Sequence, residues 1–84
     1  MSYQVEFAPK AVKQFKKLPR KEQKRIQEKI DSLTDLPRPE GVVKLTDEDN
    51  LYRVRVGNYR IIYSIYDEQL LIIILKIAHR QNVY

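Results

Sequence analysis

Three arginines at alternating positions of two adjacent predicted strands are the residues most capable of chemistry in this sequence. Residues 51–66 read LYRVRVGNYRIIYSIY, and the central Gly-Asn pair tolerates the positive φ angles of a tight hairpin turn. In that register Arg55 lies opposite Arg60, and Arg53 shares their face because strand side chains alternate. The turn therefore gathers three guanidinium groups on one face of a sheet.

Like charges placed opposite each other destabilise a sheet, so this arrangement is difficult to explain by folding alone. The planar guanidinium matches phosphate oxygens in a bidentate geometry. The ordinary alternative is a half-exposed sheet that shows its long charged side chains to water. Three opposed arginines with no acidic residue between them favour an anion site.

The elements that must position these arginines follow from hydrophobic periodicity. We expect a strand over residues 3–7, a helix from Pro9, a second helix over 19–33, a short strand near 42–45 and a last strand over 70–78. The predicted core combines the second face of the hairpin with the apolar stripes of both helices: Val54, Val56, Tyr59, Ile61 and Tyr63, with Ala8, Ala11, Val12, Phe15, Ile26, Ile30 and Leu33.

The length of the last turn decides the direction of Lys76. A two-residue turn places Lys76 opposite Tyr59 in the core, and a three-residue turn places it opposite Arg60. Burying an unpaired ammonium group is costly, which favours the three-residue turn and a fourth cation on the arginine face.

Composition limits the function classes. The 84 residues carry a net charge of +5 and no cysteine, which suits a polyanionic partner and excludes disulfides and thiolate metal sites. One histidine and scattered carboxylates predict no metal and no cofactor. Residues 1–10 do not resemble a signal peptide and the longest apolar run is six residues, so we expect a cytoplasmic protein with no membrane partner. The lysines of the helices form either a solvated face or a second nucleic-acid surface, and the first is commoner.

The end of the chain reads KIAHRQNVY, and the last strand delivers His79, Arg80 and Tyr84 to the neighbourhood of Arg60. Together with YRVRVGNYRIIY and the order of predicted elements, this ending resembles the RelE/ParE superfamily of toxin–antitoxin toxins, most closely its RelE branch. The resemblance implies an α+β fold in one domain over residues 1–84. Its small antiparallel sheet has about four strands, with an N-terminal helical hairpin packed on one face (β-α-α-β-β-β).

The resemblance also implies a function. RelE-type toxins cleave messenger RNA in the ribosomal A site without metal, inhibit translation and are neutralised by a cognate antitoxin. Ribosome, messenger RNA and antitoxin are therefore the expected partners, and operator DNA is reached through the antitoxin. The residues that match the family pattern are Arg53, Arg55, Arg60, Arg80 and Tyr84. With His79 and Lys76 added from their positions in the sequence, the catalytic candidates are Arg60, Arg80, Tyr84 and His79, and the substrate-binding candidates are Arg53, Arg55 and Lys76.

The identity of the general base stays open in the sequence. Attack by the RNA 2′-hydroxyl on the adjacent phosphate requires a base, an acid and charge stabilisation. Many relatives carry lysine where this chain has Arg53 and Arg55, and arginine cannot lose its proton. His79, Lys76, Tyr84 or a ribosomal group could serve instead, and His79 is equally well explained as a structural residue.

Two other functions fit the same pattern. A ParE-type toxin shares the fold but inhibits a topoisomerase by binding, and a basic RNA-binding or co-repressor module would have no catalysis. The last strand is apolar on both sides, which predicts that an antitoxin covers the face that the helices leave open.

Overall fold

Two helices pack on one face of a five-stranded sheet in this computed structural model, which describes residues 2–45 and 50–80. The elements are β1 (Gln4–Phe7), α1 (Pro9–Lys16), α2 (Arg20–Leu33), β2 (Val43–Lys44), β3 (Leu51–Val56), β4 (Tyr59–Tyr66) and β5 (Leu71–His79). The strand order is β1-β5-β4-β3-β2. The expected α+β class with an N-terminal helical hairpin is confirmed.

The sheet is mixed, whereas the sequence predicted an antiparallel sheet of about four strands. β1 runs parallel to the first half of β5, with Gln4 opposite Leu71 and Phe7 opposite Ile74. Alternation within residues 3–7 identifies a strand but not its neighbour, because the partner is more than sixty residues away. β2 forms where the sequence predicted a short strand near residues 42–45, and it brings the number of strands in the sheet to five.

The predicted β3–β4 hairpin and its register are confirmed. Arg55 pairs with Arg60, Val54 with Ile61 and Val56 with Tyr59. Gly57 adopts a φ of 57°, a left-handed conformation that glycine adopts without steric cost. The local turn chemistry therefore fixes which side chains share a face.

The β4–β5 connection differs from both turns considered for Lys76. Four residues separate Tyr66 from its partner Leu71, and a β-bulge follows between Ile62 and Tyr63. The longer turn and the bulge each shift the register by one residue. After both shifts, the residues at the end of β5 lie on the faces that a three-residue turn would give them. Lys76 therefore lies on the predicted face, but opposite Ile62 rather than Arg60.

The core lies between the helices and one face of the sheet. Ala11 of α1 and the predicted stripe of α2 are buried against the alternating residues of β3, β4 and β5: Ile26, Ile30, Leu33, Tyr52, Val54, Ile61, Tyr63, Ile65, Ile72, Ile74 and Ile77. Val56 and Tyr59, which were predicted as core residues, are only half-buried and pack against its edge. They flank the hairpin turn, where the helical layer ends.

A polar cluster joins the loop after α2 to one end of the sheet. The β3–β4 hairpin turn lies at the other end. Arg38 Nη2 donates to Asp67 Oδ2 at 2.8 Å, and the Tyr3 hydroxyl donates to Asp67 Oδ1 at 2.6 Å. Hydrogen bonds hold the pKa of the Asp67 carboxyl below its ordinary value. The bond from Arg38 has the largest effect, and the bond from Tyr3 the next largest. The same guanidinium donates through Nε to the Tyr52 hydroxyl at 3.1 Å. This cluster links the loop after α2 to the β4–β5 connection, just before the start of β5.

Across the described parts of the chain, no helix is long and apolar enough to cross a membrane.

Candidate functional site

The sheet face turned away from the helices, here called the open face, carries the three predicted arginines. Arg55 is exposed, and Arg53 and Arg60 are half-buried on the same side of the hairpin. The Nε atom of Arg60 is enclosed by protein, which restrains this guanidinium more than a freely solvated one. Arg55 and Arg60 are directly opposed on neighbouring strands, so their charges add in one small area.

Lys76 is the fourth cation of the open face. Arg53, Ile62 and Lys76 are successive cross-strand partners on β3, β4 and β5. Lys76 is half-buried, with an apolar residue between it and the arginine. The structure therefore brings together four of the seven residues selected from the sequence.

Arg80 is held at the same end of the sheet by a backbone contact. It follows β5 directly, and its N–H donates to the Asn58 carbonyl at 2.7 Å. Asn58 belongs to the hairpin turn between Arg55 and Arg60. The exposed Arg80 side chain thus starts close to the tip that carries the opposed arginines.

His79 lies on the opposite side of the sheet from Arg60, contrary to the expectation that the chain end brings the two together. It pairs with Tyr59, and the two rings meet edge to face with centroids 5.3 Å apart. Arg60 pairs instead with Ala78. The bulge in the β4–β5 pairing decides which residues at the end of β5 lie on each face of the sheet. The sequence did not reveal this bulge. Tyr84, the remaining candidate, lies outside the described residues.

Arg25 is a residue at the site that the sequence did not identify. A Cβ atom built on Gly57 would lie 2.8 Å from Arg25 Nη2 and 3.0 Å from Nη1, so the guanidinium rests on the hairpin turn. Glu22, one helical turn earlier, accepts from Arg25 Nη1 at 3.5 Å. The contact joins α2 to a turn more than thirty residues away. The only local signal was the density of positive charge over residues 10–25.

We expect Gly57→Ala to destabilise the protein by about 1–2 kcal/mol, because an L-residue resists the left-handed conformation. The new methyl group also displaces the Arg25 guanidinium from the turn. Urea unfolding of the purified chain measures the free-energy change through the shift of the midpoint.

Two further variants separate these effects. Gly57→Asn should cost less than Gly57→Ala, because asparagine tolerates left-handed backbone. Adding Arg25→Ala to Gly57→Ala should change stability little, since the end of a long exposed side chain moves aside easily. A Gly57→Ala protein as stable as the wild type would contradict the backbone argument.

An apolar strip adjoins the cations on the open face. Ile62, Leu71, Ile73 and Leu75 are half-buried, whereas Ile72 and Ile74, which point toward the helices, are buried. The helices cover only one face, so this strip remains accessible, as the apolar sequence of the last strand predicted. An amphipathic partner with acidic residues matches both the strip and the cations.

The described residues of the open face offer cationic donors to an anion. No group of three or more His, Cys, Asp or Glu side chains within residues 2–45 and 50–80 could hold a metal ion. Four cationic side chains on one sheet face can instead bind and polarise a phosphate group.

Comparison with known proteins places this architecture in a family. Residues 5–84 match the family described as ParE toxin of type II toxin–antitoxin system, parDE. The chain is 35% identical to toxin RelE3 of Methanocaldococcus jannaschii, over 95% of this chain and 93% of that protein. It is 24% identical to the mRNA interferase toxin RelE of Escherichia coli K12, over 98% of this chain and 87% of that protein.

A solved structure agrees with the sequence matches. RelE in the archaeal RelE–RelB complex from Pyrococcus horikoshii superposes with a TM-score of 0.86 at 35% identity, covering 99% of this chain and all of that one. The chain therefore belongs to the RelE/ParE superfamily of type II toxin–antitoxin toxins, within its RelE branch.

Proposed function

We propose that this toxin is an endoribonuclease that cleaves messenger RNA in the ribosomal A site without a metal ion. The observation that carries the proposal is the convergence of Arg53, Arg55, Arg60 and Lys76 on the open face. A similar protein, RelE of Escherichia coli, is named an mRNA interferase, which supports the same activity here. The chain would act in the cytoplasm, where its ribosomal substrate is found.

The reaction begins with attack of the RNA 2′-oxygen on the adjacent phosphorus. The bond from phosphorus to the 5′-oxygen breaks, leaving a 2′,3′-cyclic phosphate and a 5′-hydroxyl. A base takes the proton of the 2′-hydroxyl, and an acid gives one to the departing oxygen. Arg60 clamps the phosphate, Arg53 and Arg55 add charge beside it, and Arg80 stabilises the leaving oxygen.

Tyr84 completes this proposal from the sequence. A near-terminal tyrosine can stack on an unpaired base or hydrogen-bond near the 2′-hydroxyl. Its role follows from the family pattern and is part of the proposal, because the residue is outside the described part of the chain.

Lys76 is a better candidate than His79 for proton transfer on this face. Lys76 shares the open face with Arg53 and Arg60, whereas the His79 ring contacts Tyr59 on the other side of the sheet. Proton transfer requires hydrogen-bond reach of the reacting group, so the side of the sheet on which each side chain lies decides between the two candidates.

Lys76→Met is therefore expected to lower the rate of the cleavage step by about a hundredfold, as removal of an acid–base group does. His79→Gln should lower that rate less than tenfold. The measurement is single-turnover cleavage on programmed ribosomes at saturating toxin, across a range of pH.

The pH profile distinguishes a proton-transfer group from a charge. Loss of one limb of the profile in Lys76→Met supports proton transfer, and an unchanged shape with a lower rate supports electrostatic stabilisation alone. A larger loss with His79→Gln than with Lys76→Met would reverse the assignment.

A cognate antitoxin is the proposed partner that silences the enzyme. It would cover the apolar strip and bring acidic residues to the arginines. The similar RelE of Pyrococcus horikoshii is found in a complex with RelB, which supports a protein partner here. Contact with operator DNA would then occur through the antitoxin.

The decisive experiment compares cleavage of a defined message on translating ribosomes with cleavage of the same naked RNA, with both product ends mapped. Cuts confined to ribosome-bound message, with cyclic phosphate ends, are expected. Folded protein that cleaves in neither condition would contradict the proposal and favour a ParE-type inhibitor of topoisomerase.

A further inference from the structure

A cavity of about 480 Å³ lies at the outer edge of β5, apart from the arginines of the open face. Lys10, Gln14 and Lys17 of the first helical segment border it on one side, and Tyr59, Lys76 and His79 border it on the other. No carboxylate is among the described residues that line it. We call it the β5-edge cavity.

The position of the two helical lysines is set by a partly buried hydrogen bond between Gln14 and β5. β1 pairs only with the first half of β5, and Gln14 Oε1 accepts from the Ile77 N–H at 2.7 Å where that pairing has ended. Lys10 and Lys17 lie one turn to either side of Gln14 along the same stripe of the helix. The Gln14 contact therefore holds both cations beside the strand edge.

The aromatic side of the cavity is also organised. Tyr59 and His79 form an edge-to-face pair with ring centroids 5.3 Å apart. Both rings are half-buried, and Tyr59 is supported by the core. Proteins bind unpaired RNA by two elements. Cationic side chains follow its phosphate backbone, and aromatic rings contact its bases.

The cavity adjoins the open face at one end of the sheet. Tyr59 and Arg60 are successive residues of β4 and therefore point to opposite faces. Lys76 lies on the open face and also lines the cavity, so the cavity meets the open face at the edge of β5.

We propose that the β5-edge cavity is a second RNA subsite, which holds an unpaired nucleotide of the message next to the phosphate that is cleaved. Lys10 and Lys17 contact its phosphate, and the Tyr59–His79 pair contacts its base. This subsite rests on the proposed endoribonuclease function and extends it to the path of the substrate. It acts in binding, so its loss should change affinity and not the rate of the cleavage step.

The first test measures binding of an unpaired 2′-O-methyl RNA oligonucleotide to the full chain by fluorescence anisotropy at several salt concentrations. This RNA lacks the attacking hydroxyl, so binding is measured independently of cleavage. Lys10→Gln/Lys17→Gln should weaken affinity by roughly tenfold and reduce the salt slope by about 0.7, which is the contribution of one neutralised phosphate on a single strand.

The matched control is Lys21→Gln/Lys24→Gln, which removes the same charge from exposed positions of α2 that do not line the cavity. It should change affinity and slope little. Equal effects of the two double variants, or no effect of the cavity variant, would overturn the proposal in favour of a non-specific charge contribution.

The aromatic contact has its own readout. An oligonucleotide with a single 2-aminopurine should lose fluorescence on binding when that base reaches the rings, and His79→Ala should reduce the quenching and weaken affinity about fivefold or more. Quenching that is the same in His79→Ala as in the wild type at every base position would exclude the assigned base site.

A third measurement identifies the source of the phosphate. With programmed ribosomes, the cavity variant should need more toxin for half-maximal single-turnover cleavage, while the rate at saturation stays that of the wild type. Weaker binding to ribosomes without message, with unchanged binding to the oligonucleotide, would instead assign the cavity to ribosomal RNA and overturn the proposal. Absence of cleavage by the wild type would refute the endoribonuclease and leave the oligonucleotide result to decide the subsite.

Discussion

Arg60→Ala is expected to lower the rate of ribosome-dependent cleavage by about 100- to 1000-fold while leaving the protein folded. Removing one preorganised donor that stabilises developing charge has this effect on the chemical step. Arg60 is half-buried and its Nε atom is enclosed by protein, so its guanidinium is restrained in a position to clamp the phosphate.

The stability of the Arg60→Ala protein separates a functional loss from a structural one. Arg60 lies directly opposite Arg55, and like charges in that position oppose pairing of the strands. Relief of this repulsion should offset the contacts that Arg60 loses, so the free energy of unfolding should change little. If Arg60→Ala lost both cleavage activity and stability, the result would contradict the proposal that these opposed arginines serve anion binding and do not stabilise the fold.

Two control variants complete the experiment. Arg60→Lys keeps the charge but loses the planar fork, so we expect only partial recovery of the cleavage rate. Arg20→Ala removes an arginine from an exposed position at the start of α2 and should be close to the wild type. Single-turnover rates on programmed ribosomes, with urea unfolding of each protein, provide both measurements.

Tyr63→Ala is expected to lower the free energy of unfolding by about 3–5 kcal/mol, as removal of a large aromatic core side chain does. Tyr63 is fully buried at the centre of β4, between Tyr52 of β3 and Ile74 of β5. A domain of this size has about 5–15 kcal/mol in total, so the variant should lose a large fraction of its stability and unfold at a clearly lower urea concentration.

Tyr63→Phe isolates the hydroxyl from the packing. The hydroxyl donates to the Pro37 carbonyl at 2.7 Å, and burial raises the pKa of Tyr63 well above its ordinary value, so the group remains a neutral donor. Removing it leaves the carbonyl without this donor, at a cost of about 1–3 kcal/mol. Tyr3→Phe, which removes a solvent-exposed hydroxyl, is the matched control and should cost less.

The shift of the urea midpoint, with the slope of the transition unchanged, measures the free energy of unfolding that each Tyr63 variant loses. Equal losses for the alanine and phenylalanine variants would mean that the hydrogen bond, and not the packing, dominates. A phenylalanine variant as stable as the wild type would show that water replaces the lost donor at the Pro37 carbonyl.

Short-range patterns made much of the site predictable. The Gly57-Asn58 turn connects strands that are adjacent in sequence, so its geometry fixed the pairing of Arg55 with Arg60 before any tertiary contact was known. The helical stripe of Ile26, Ile30 and Leu33 was equally local, since a helix repeats within four residues. In both cases the partners are close in the chain, and their spacing alone determines the shared face.

Long-range contacts decided the rest. The parallel pairing of β1 with β5, the bulge that places His79 against Tyr59 and the Arg25 guanidinium over Gly57 join residues far apart in sequence. None of these leaves a periodic signal, because each depends on how complete elements pack. The sequence by itself determined that the arginines share one face of a hairpin. Only the tertiary structure decided that Lys76 joins them, that His79 does not, and that a cavity with its own cations lies around the edge of the sheet.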